Sequence, residues 1–171
     1  MITRLYADNF RCLVNFDLKF DRLNLLMGNN GSGKSSVFDV LRRLQSFISG
    51  DSRIQAAFPS RELTRWQSSP EQRFELEIKL PEGELKYALV LEHMDGGLKS
   101  RVKEESLTEQ GEPLFVRRLA EVHLYGDDFK EGPVYPCDWS LPALATVQSS
   151  PVNTRVTAFR REISKLVITA I

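Results

Sequence analysis

The chain has 171 residues, 42% of them hydrophobic, and its acidic and basic side chains balance to a formal net charge of zero. This length and composition are typical of one globular domain, and the neutral charge neither indicates nor excludes nucleic-acid binding. No apolar run approaches the ~18 residues of a membrane span, and the N-terminus lacks the apolar core of a signal peptide. Cys12 and Cys137 lack the spacing of metal ligands. We therefore expect a cytoplasmic protein with reduced thiols and no membrane contact.

The N-terminal residues predict three β-strands. Apolar and polar side chains alternate over Ile2–Ala7 and again over Asn15–Phe20, as in strands with one buried face. The sequence Asn-Phe-Arg at 9–11 lies between them and predicts a turn. Leu23–Met27 is a short apolar run, which is expected of a buried strand.

Residues 28–36 read GNNGSGKSS and match the phosphate-binding pattern G-x-x-x-x-G-K-[ST] in full. Triphosphate oxygens need several inward-pointing backbone N–H groups, and glycines allow both the close approach and the positive φ angles that this requires. Lys34 is the candidate catalytic residue, because it can reach the β- and γ-phosphates, and the Ser35 hydroxyl is the candidate Mg²⁺ ligand. The predicted nucleotide-binding residues of this P-loop are Gly28, Asn29, Asn30, Gly31, Ser32, Gly33, Lys34, Ser35 and Ser36.

Apolar residues recur at helical spacing directly behind this loop, from Val37 to Ile48, and Ser49-Gly50 marks the expected end of the helix. Strand, glycine loop and helix thus follow one another in the order that a phosphate site needs. The positive end of the helix would point at the bound anion. A Gly/Asn/Ser-rich surface turn that binds nothing is the alternative, and this context argues against it.

The loop interior, residues 30–35, resembles the G-x-N-G-S-G-K-S form of ABC-type ATPases. It is most similar to the branch of "AAA family" ATPases that holds structural-maintenance-of-chromosomes (SMC) proteins, RecF-type recombination mediators and OLD-type nucleases. The resemblance implies an α/β fold, the N-terminal lobe of an ABC/SMC-type P-loop NTPase, with a mostly antiparallel β-meander packed beside the P-loop helix. It also implies ATP and Mg²⁺ as ligands, and it places Arg11 where that side chain can approach the nucleotide.

The second half of such an ATPase would carry a signature loop, a Walker B strand ending in Asp-Glu, and a switch histidine, and this sequence contains none of them. Residues 87–92 hold an apolar run with one acid, but their alternation is that of a hairpin strand. The resemblance therefore implies the N-terminal portion of a longer ATPase that binds ATP without hydrolysing it alone. Hydrolysis would require the missing half and dimerisation, in a complete protein with nucleic acid as partner and a role in DNA repair or phage defence.

Two other classes of protein stay open. A plain P-loop kinase or GTPase would need an acceptor site or an N-K-x-D base-reading motif, and neither is found. The antiparallel strands expected before the loop also argue against this class. A non-catalytic interaction module with a relic P-loop is the second alternative, and the complete set of P-loop residues argues against a relic.

We divide the chain into residues 1–50 (strands, P-loop and helix), 51–72, 73–125 and 126–171, all within one ATPase lobe that is expected to be incomplete. Residues 51–72 are rich in Ser, Pro, Arg and Gln and predict an exposed loop with a short helix near 53–58. Gln67 and Gln72 lie in the region that senses the γ-phosphate in the resembling family. Solvated glutamines are the alternative interpretation.

Alternating residues and turn signals predict an antiparallel sheet over 73–125. Its strands are expected at Arg73–Leu80, Tyr87–His93, Leu98–Leu107, Leu114–Arg118 and Ala120–Tyr125.

The last part of the chain, residues 126–171, predicts an irregular segment and a closing helix over 153–168. Asp127 and Asp128 could hold a metal, although two acids after a glycine more often form a turn. His93 and His123 have no acid or cysteine at ligand spacing, so we interpret both as structural.

Overall fold

The computed structural model of the chain describes residues 1–169. Its largest element is one sheet of eight strands in the order β2-β1-β3-β4-β5-β6-β7-β8, with every neighbouring pair antiparallel. The strands are β1 (Ile2–Asp8), β2 (Phe16–Lys19), β3 (Glu71–Lys79), β4 (Glu84–Met94), β5 (Lys99–Glu109), β6 (Glu112–Arg118), β7 (Glu121–Tyr125) and β8 (Glu131–Pro136). The helices are α1 (Lys34–Ile48), α2 (Ile54–Ala57), α3 (Ala143–Thr146) and α4 (Thr154–Ser164).

Strand β1 joins the N-terminal strands to the rest of the sheet. Leu5 on β1 pairs with Leu18 of β2 on one side and with Leu76 of β3 on the other. The P-loop, α1 and residues 51–70 are therefore one long connection between two parts of a single sheet. Helix α1 shares the hydrophobic core with this sheet, and residues 28–32 of the P-loop stay exposed.

The predicted hairpins of residues 73–125 are confirmed, since β3 to β7 follow one another as antiparallel neighbours. The eighth strand was not predicted. Strand β8 falls in the segment that we expected to be irregular, because Gly132, Pro133 and Pro136 lower its apparent β-propensity. Strand β8 lies at the edge of the sheet and pairs only with β7 among the described residues, which is where a strand with prolines is tolerated.

The strand predicted at Leu23–Met27 is wrong. These residues have no regular secondary structure, and Leu23, Leu25 and Met27 are 80–90% exposed. The Asn24 side chain instead closes a local turn, accepting a hydrogen bond from the Asp21 N–H (2.9 Å) and donating to the Asp21 carbonyl (2.8 Å). A strand needs a neighbour to satisfy its backbone groups, and no described residue pairs with this segment.

The core lies between the sheet and the helices. Helix α1 buries its apolar face as the spacing predicted: the buried set includes Val37, Val40, Leu41, Leu44, Phe47 and Ile48. A cluster of four phenylalanines joins sheet, helix and connection, with ring centroids 4.7–6.4 Å apart and mostly edge-to-face geometry, as aromatic pairs prefer. Its members are Phe10, Phe47, Phe58 and Phe74.

The connection over residues 51–72 is not exposed throughout, in contrast to the loop that composition suggested. The connection contains helix α2 and a 3₁₀ turn at Ser60–Glu62. Its residues Ile54 and Phe58 are fully buried. The short predicted helix near 53–58 is confirmed at Ile54–Ala57. The Phe58 ring anchors the segment in the phenylalanine cluster.

A β-bulge in β5 places a charged pair inside the core. The register between β4 and β5 shifts next to Val90, so that Val102 and Glu105 both face the buried side of the sheet. The Glu105 carboxylate and the Arg117 guanidinium are fully buried and 3.5 Å apart. Glu105 also accepts hydrogen bonds from the Tyr87 hydroxyl (2.9 Å) and the Ala143 N–H (2.6 Å). This pair ties the segment after β8 to the sheet.

The closing helix α4 ends at Ser164, earlier than the predicted 168, and buries Val156, Phe159 and Ile163. Ala170 and Ile171, the last residues of the predicted closing segment, lie outside the described residues. Over residues 1–169, none of the helices has the length and apolar character that a membrane crossing requires.

A candidate phosphate-binding site

The P-loop leads into α1 in a conformation that glycine favours. Gly31 and Gly33 adopt φ angles of 86° and 94°, in the left-handed region. Gly33 directly precedes Lys34, the first residue of α1, and within residues 1–169 no side chain caps this helix end. The first turn of α1 also lacks acidic residues. Because the first N–H groups of a helix have no intrahelical partner, this end offers donors and positive potential to an anion.

At two glycines of the loop, an added Cβ would require a neighbouring side chain to move. A Cβ built on Gly28 would lie 2.6 Å from the Ser32 Oγ, and one on Gly33 would lie 2.9 Å from the Cys12 Sγ. By contrast, a Cβ on Gly31 would meet no atom within 4 Å. The loop is therefore packed at both ends and open in the middle, where its backbone is accessible to a ligand.

The Lys34 ammonium lies over the loop itself. Its Nζ donates to the carbonyls of Gly28 and Asn29 (2.9 Å for the latter) and to the Ser32 hydroxyl (3.2 Å). The sequence-predicted residues Gly28, Asn29 and Ser32 thus lie around the positive charge of Lys34. An anion seated in the loop would meet this charge at short range.

The two serines after Lys34 have different surroundings. Ser35 is exposed, whereas Ser36 is 7% exposed and its hydroxyl lies 3.6 Å from the Cys12 Sγ. The Ser35 hydroxyl is therefore accessible, and its role as a Mg²⁺ ligand stays a prediction. The Ser36 hydroxyl is directed to Cys12, so its backbone N–H is the group that stays available for a phosphate oxygen.

Arg11, the predicted nucleotide-contacting residue outside the loop, is engaged elsewhere. Its guanidinium donates to the carboxylates of Glu62 and Asp39, and its backbone N–H donates to the Glu62 carbonyl (2.6 Å). Arg43 contributes a second guanidinium to Glu62 at 3.1 Å. These hydrogen bonds raise the pKa of Arg11, and the bond from Arg11 lowers the pKa of Glu62 despite its burial.

The comparison with protein families decides what kind of domain carries this loop. A family model described as "AAA ATPase domain" matches residues 1–114, which is two thirds of the chain and includes the whole P-loop. The chain belongs to the AAA ATPase domain family. The resemblance to this group of ATPases, inferred from residues 30–35, is therefore confirmed.

Curated relatives of this AAA ATPase domain are called DNA replication and repair protein RecF. That of Pasteurella multocida (strain Pm70) is 51% identical over 41 residues, 23% of this chain and 12% of the relative. That of Haemophilus influenzae (strain ATCC 51907 / DSM 11121 / KW20 / Rd) is 34% identical over 97 residues, 56% of this chain and 25% of the relative. The chain thus spans between an eighth and a quarter of the length of these relatives.

Three other residues that the sequence suggested as functional form hydrogen bonds within the fold of the AAA ATPase domain. Gln72 is fully buried, with its amide donating to the Asn9 carbonyl (2.9 Å) and its oxygen 3.0 Å from His93, so the solvated interpretation is wrong for this residue. Gln67 donates to Asp8 at 3.1 Å. Asp127 caps α4, accepting from the Thr154 N–H at 3.0 Å. No group of three or more His, Cys, Asp or Glu residues suited to a metal occurs among residues 1–169.

Sequence reasoning missed two buried polar residues that fix the turn of residues 9–13, whose Cys12 contacts Gly33 and Ser36. Asn9 is fully buried with a positive φ of 61°, and its amide donates to the carbonyls of Ser69 (2.8 Å) and Glu71 (2.7 Å). Glu62 was not singled out, because it lies 51 positions from Arg11 in the chain. Only the unusual turn signal Asn-Phe-Arg pointed to this part of the AAA ATPase domain.

Proposed function

We propose that this chain binds ATP·Mg²⁺ through residues 28–36. The observation that carries the proposal is the complete phosphate-binding loop at the uncapped N-terminus of α1, in a chain of the AAA ATPase domain family. The loop is open to a ligand at Gly31, where an added Cβ would meet none of the described atoms within 4 Å. Lys34 already places its ammonium over the loop.

Each residue has a defined role in this proposal. Backbone N–H groups from Asn29 to Ser36 hold the phosphates, and Lys34 offsets charge on the β- and γ-oxygens. Ser35 provides the hydroxyl ligand for Mg²⁺, a cation that supplies charge neutralisation when bound. Arg11 has a direct nucleotide role only if its guanidinium leaves Asp39 and Glu62.

The complete protein is proposed to be an ABC/SMC-like ATPase, of which this chain forms an N-terminal lobe with the four parts 1–50, 51–72, 73–125 and 126–171. Hydrolysis then requires the signature and Walker B elements of a second half, together with homodimerisation around the nucleotide. Because the curated relatives are DNA replication and repair proteins, we propose a DNA-directed role in the cytoplasm, in repair or in phage defence.

The first test is calorimetric titration of the purified chain with ATP·Mg²⁺, with Lys34→Ala as the loss-of-function variant. Lys99→Ala is the matched control, since this lysine is exposed and lies in a hairpin remote in sequence from the P-loop. We expect binding by the wild type and by Lys99→Ala, and loss of binding by Lys34→Ala.

Three other results would redirect the proposal. Binding of GTP in preference to ATP would favour the kinase or GTPase class. A folded chain that binds neither nucleotide would overturn the proposal for this chain and favour an interaction module with a relic loop. Turnover of ATP by the isolated chain that depends on Lys34 would contradict the requirement for a second half.

A further inference from the structure

The turn of residues 9–13 lies directly beneath the P-loop. Cys12 is the contact residue: its Sγ is 3.6 Å from the Ser36 hydroxyl and would be 2.9 Å from a Cβ on Gly33. Leu13 is next to the same glycine, at 3.6 Å from that position. A displacement of this turn would therefore be transmitted to Gly33 and to the first turn of α1.

This turn cannot hold its shape through local preference alone. Asn9 and Arg11 both have left-handed backbone conformations, with φ of 61° and 51°. Such conformations cost free energy in residues other than glycine and persist where the surroundings impose them. For Arg11, the surroundings that impose it are the contacts to Glu62, together with a second ion pair to Asp39 of α1.

Glu62 fixes the turn through Arg11. Its side chain is 11% exposed, its carboxylate contacts the guanidinium of Arg11, and its carbonyl accepts the Arg11 N–H. Arg43 of α1 donates to the same carboxylate at 3.1 Å. One carboxylate thus joins the turn beneath the P-loop to the helix that follows the P-loop.

We propose that Glu62 is a positioning residue of the nucleotide site, which acts through Arg11 on the turn that supports Gly33 and Ser36. The inference rests on the proposed ATP binding and adds a residue that does not touch the nucleotide. Neutralising Glu62 removes the anion that Arg11 and Arg43 share. Only the Asp39 ion pair and the backbone bond to the residue 62 carbonyl then hold Arg11, so the turn is fixed less firmly. The P-loop then no longer presents its backbone N–H groups in one arrangement.

The experiment compares Glu62→Gln with Glu75→Gln. Glu75 is a close match, because its side chain is 16% exposed and is shared by two cations, Arg4 at 2.7 Å and Lys86 at 2.9 Å. It lies on the face of β3 opposite the core residue Phe74. Both variants lose an ion pair of similar kind, and only Glu62→Gln alters the support of the loop.

We expect Glu62→Gln to weaken ATP·Mg²⁺ binding about tenfold, within the roughly 2- to 30-fold range of residues that act without ligand contact. Glu75→Gln should bind as the wild type does. The double variant of Glu62→Gln with Arg11→Gln should bind no more weakly than Arg11→Gln alone, because both act through one contact. Additive penalties, or wild-type affinity in Glu62→Gln, would overturn the proposal.

A second measurement does not depend on the nucleotide. Cys12 is partly accessible, so its labelling by a maleimide reports the fit of the turn against Gly33, and buried Cys137 is the internal reference. Glu62→Gln should accelerate labelling of Cys12 alone, and an unchanged rate would show that Glu62 does not hold the turn. If the wild type does not bind ATP·Mg²⁺, the proposed function fails, and the labelling rate still decides whether Glu62 positions the loop.

Discussion

Gly33 is in contact with Cys12: a Cβ added to this glycine would lie 2.9 Å from the Cys12 Sγ, closer than Cβ atoms approach a neighbour. The φ angle of Gly33 is 94°, so the position disfavours other residues for two separate reasons, conformational and steric. The conformational reason holds for Gly31 as well, whose φ is 86°, but the steric reason does not.

Gly33→Ala should therefore lower the unfolding free energy more than Gly31→Ala does. The left-handed backbone alone costs an alanine about 1–2 kcal/mol of unfolding free energy, and only Gly33→Ala adds the clash with Cys12. Urea unfolding of both variants measures the difference. Adding Cys12→Ala to Gly33→Ala should recover the steric part, and equal stabilities of the two single variants would contradict the contact.

ATP·Mg²⁺ should stabilise the folded chain. A ligand at 100 times its Kd adds about 2.7 kcal/mol to the unfolding free energy, which thermal unfolding detects. Lys34→Met should abolish the shift but change the unfolding free energy of the ligand-free chain by only about 0.5 kcal/mol, because the recorded hydrogen bonds of its Nζ all go to atoms of the exposed loop. A ligand-free variant that is strongly destabilised would show that Lys34 supports the fold.

Glu105→Gln should be among the most destabilising substitutions. Glu105 and Arg117 are fully buried, and the variant leaves the arginine charge without its anion, a loss of about 3–5 kcal/mol. Chemical denaturation measures it. Glu104→Gln, at an exposed neighbouring position, is the control and should change stability by only about 0.5 kcal/mol. Similar losses of unfolding free energy in both variants would show that the buried ion pair stabilises the fold no more than an exposed glutamate does.

His93 should make the fold less stable in mild acid. Burial lowers the pKa of His93 below its ordinary 6.5, and its ring lies 3.0 Å from Gln72 and 2.9 Å from Ser100. The unfolded chain then binds this proton more readily than the folded chain does. The unfolding free energy is therefore highest above pH 6.5 and falls as the pH drops below that value. The slope is at most about 1.4 kcal/mol per pH unit.

Unfolding free energies at pH 7 and pH 5 test this sign. His93→Gln should show less change between the two pH values than the wild type, while His123→Gln, whose ring is 45% exposed, should resemble the wild type. If the pH dependence of the unfolding free energy is unchanged in His93→Gln, other titrating groups cause it.

The exposed apolar segment at residues 23–27 should promote self-association. Leu23, Leu25 and Met27 are 80–90% exposed and close in sequence, whereas Leu98 is 86% exposed but isolated at a hairpin tip. Replacing the first three by serine should shift sedimentation toward the monomer, and Leu98→Ser should have no effect. An unchanged distribution in the triple variant would place the association elsewhere.

The parts of the fold that depend on residues close together in the sequence could be predicted. The helix after the P-loop and the hairpins of residues 73–125 follow from periodicity and turn chemistry, and both are confirmed. The strand at 23–27 failed because an apolar run shows only that burial is favourable, and a strand also needs a pairing partner. Contacts such as Arg11 with Glu62 join distant positions, and no local pattern reports them.

The prolines of β8 affect how this edge of the sheet can pair with a strand of another copy of the chain. Pro133 and Pro136 lack backbone N–H groups, so this border of the sheet offers an interrupted row of donors to any additional strand. Growth of the sheet by edge-to-edge addition is therefore discouraged on this side, and fibril-like stacking should not begin at β8.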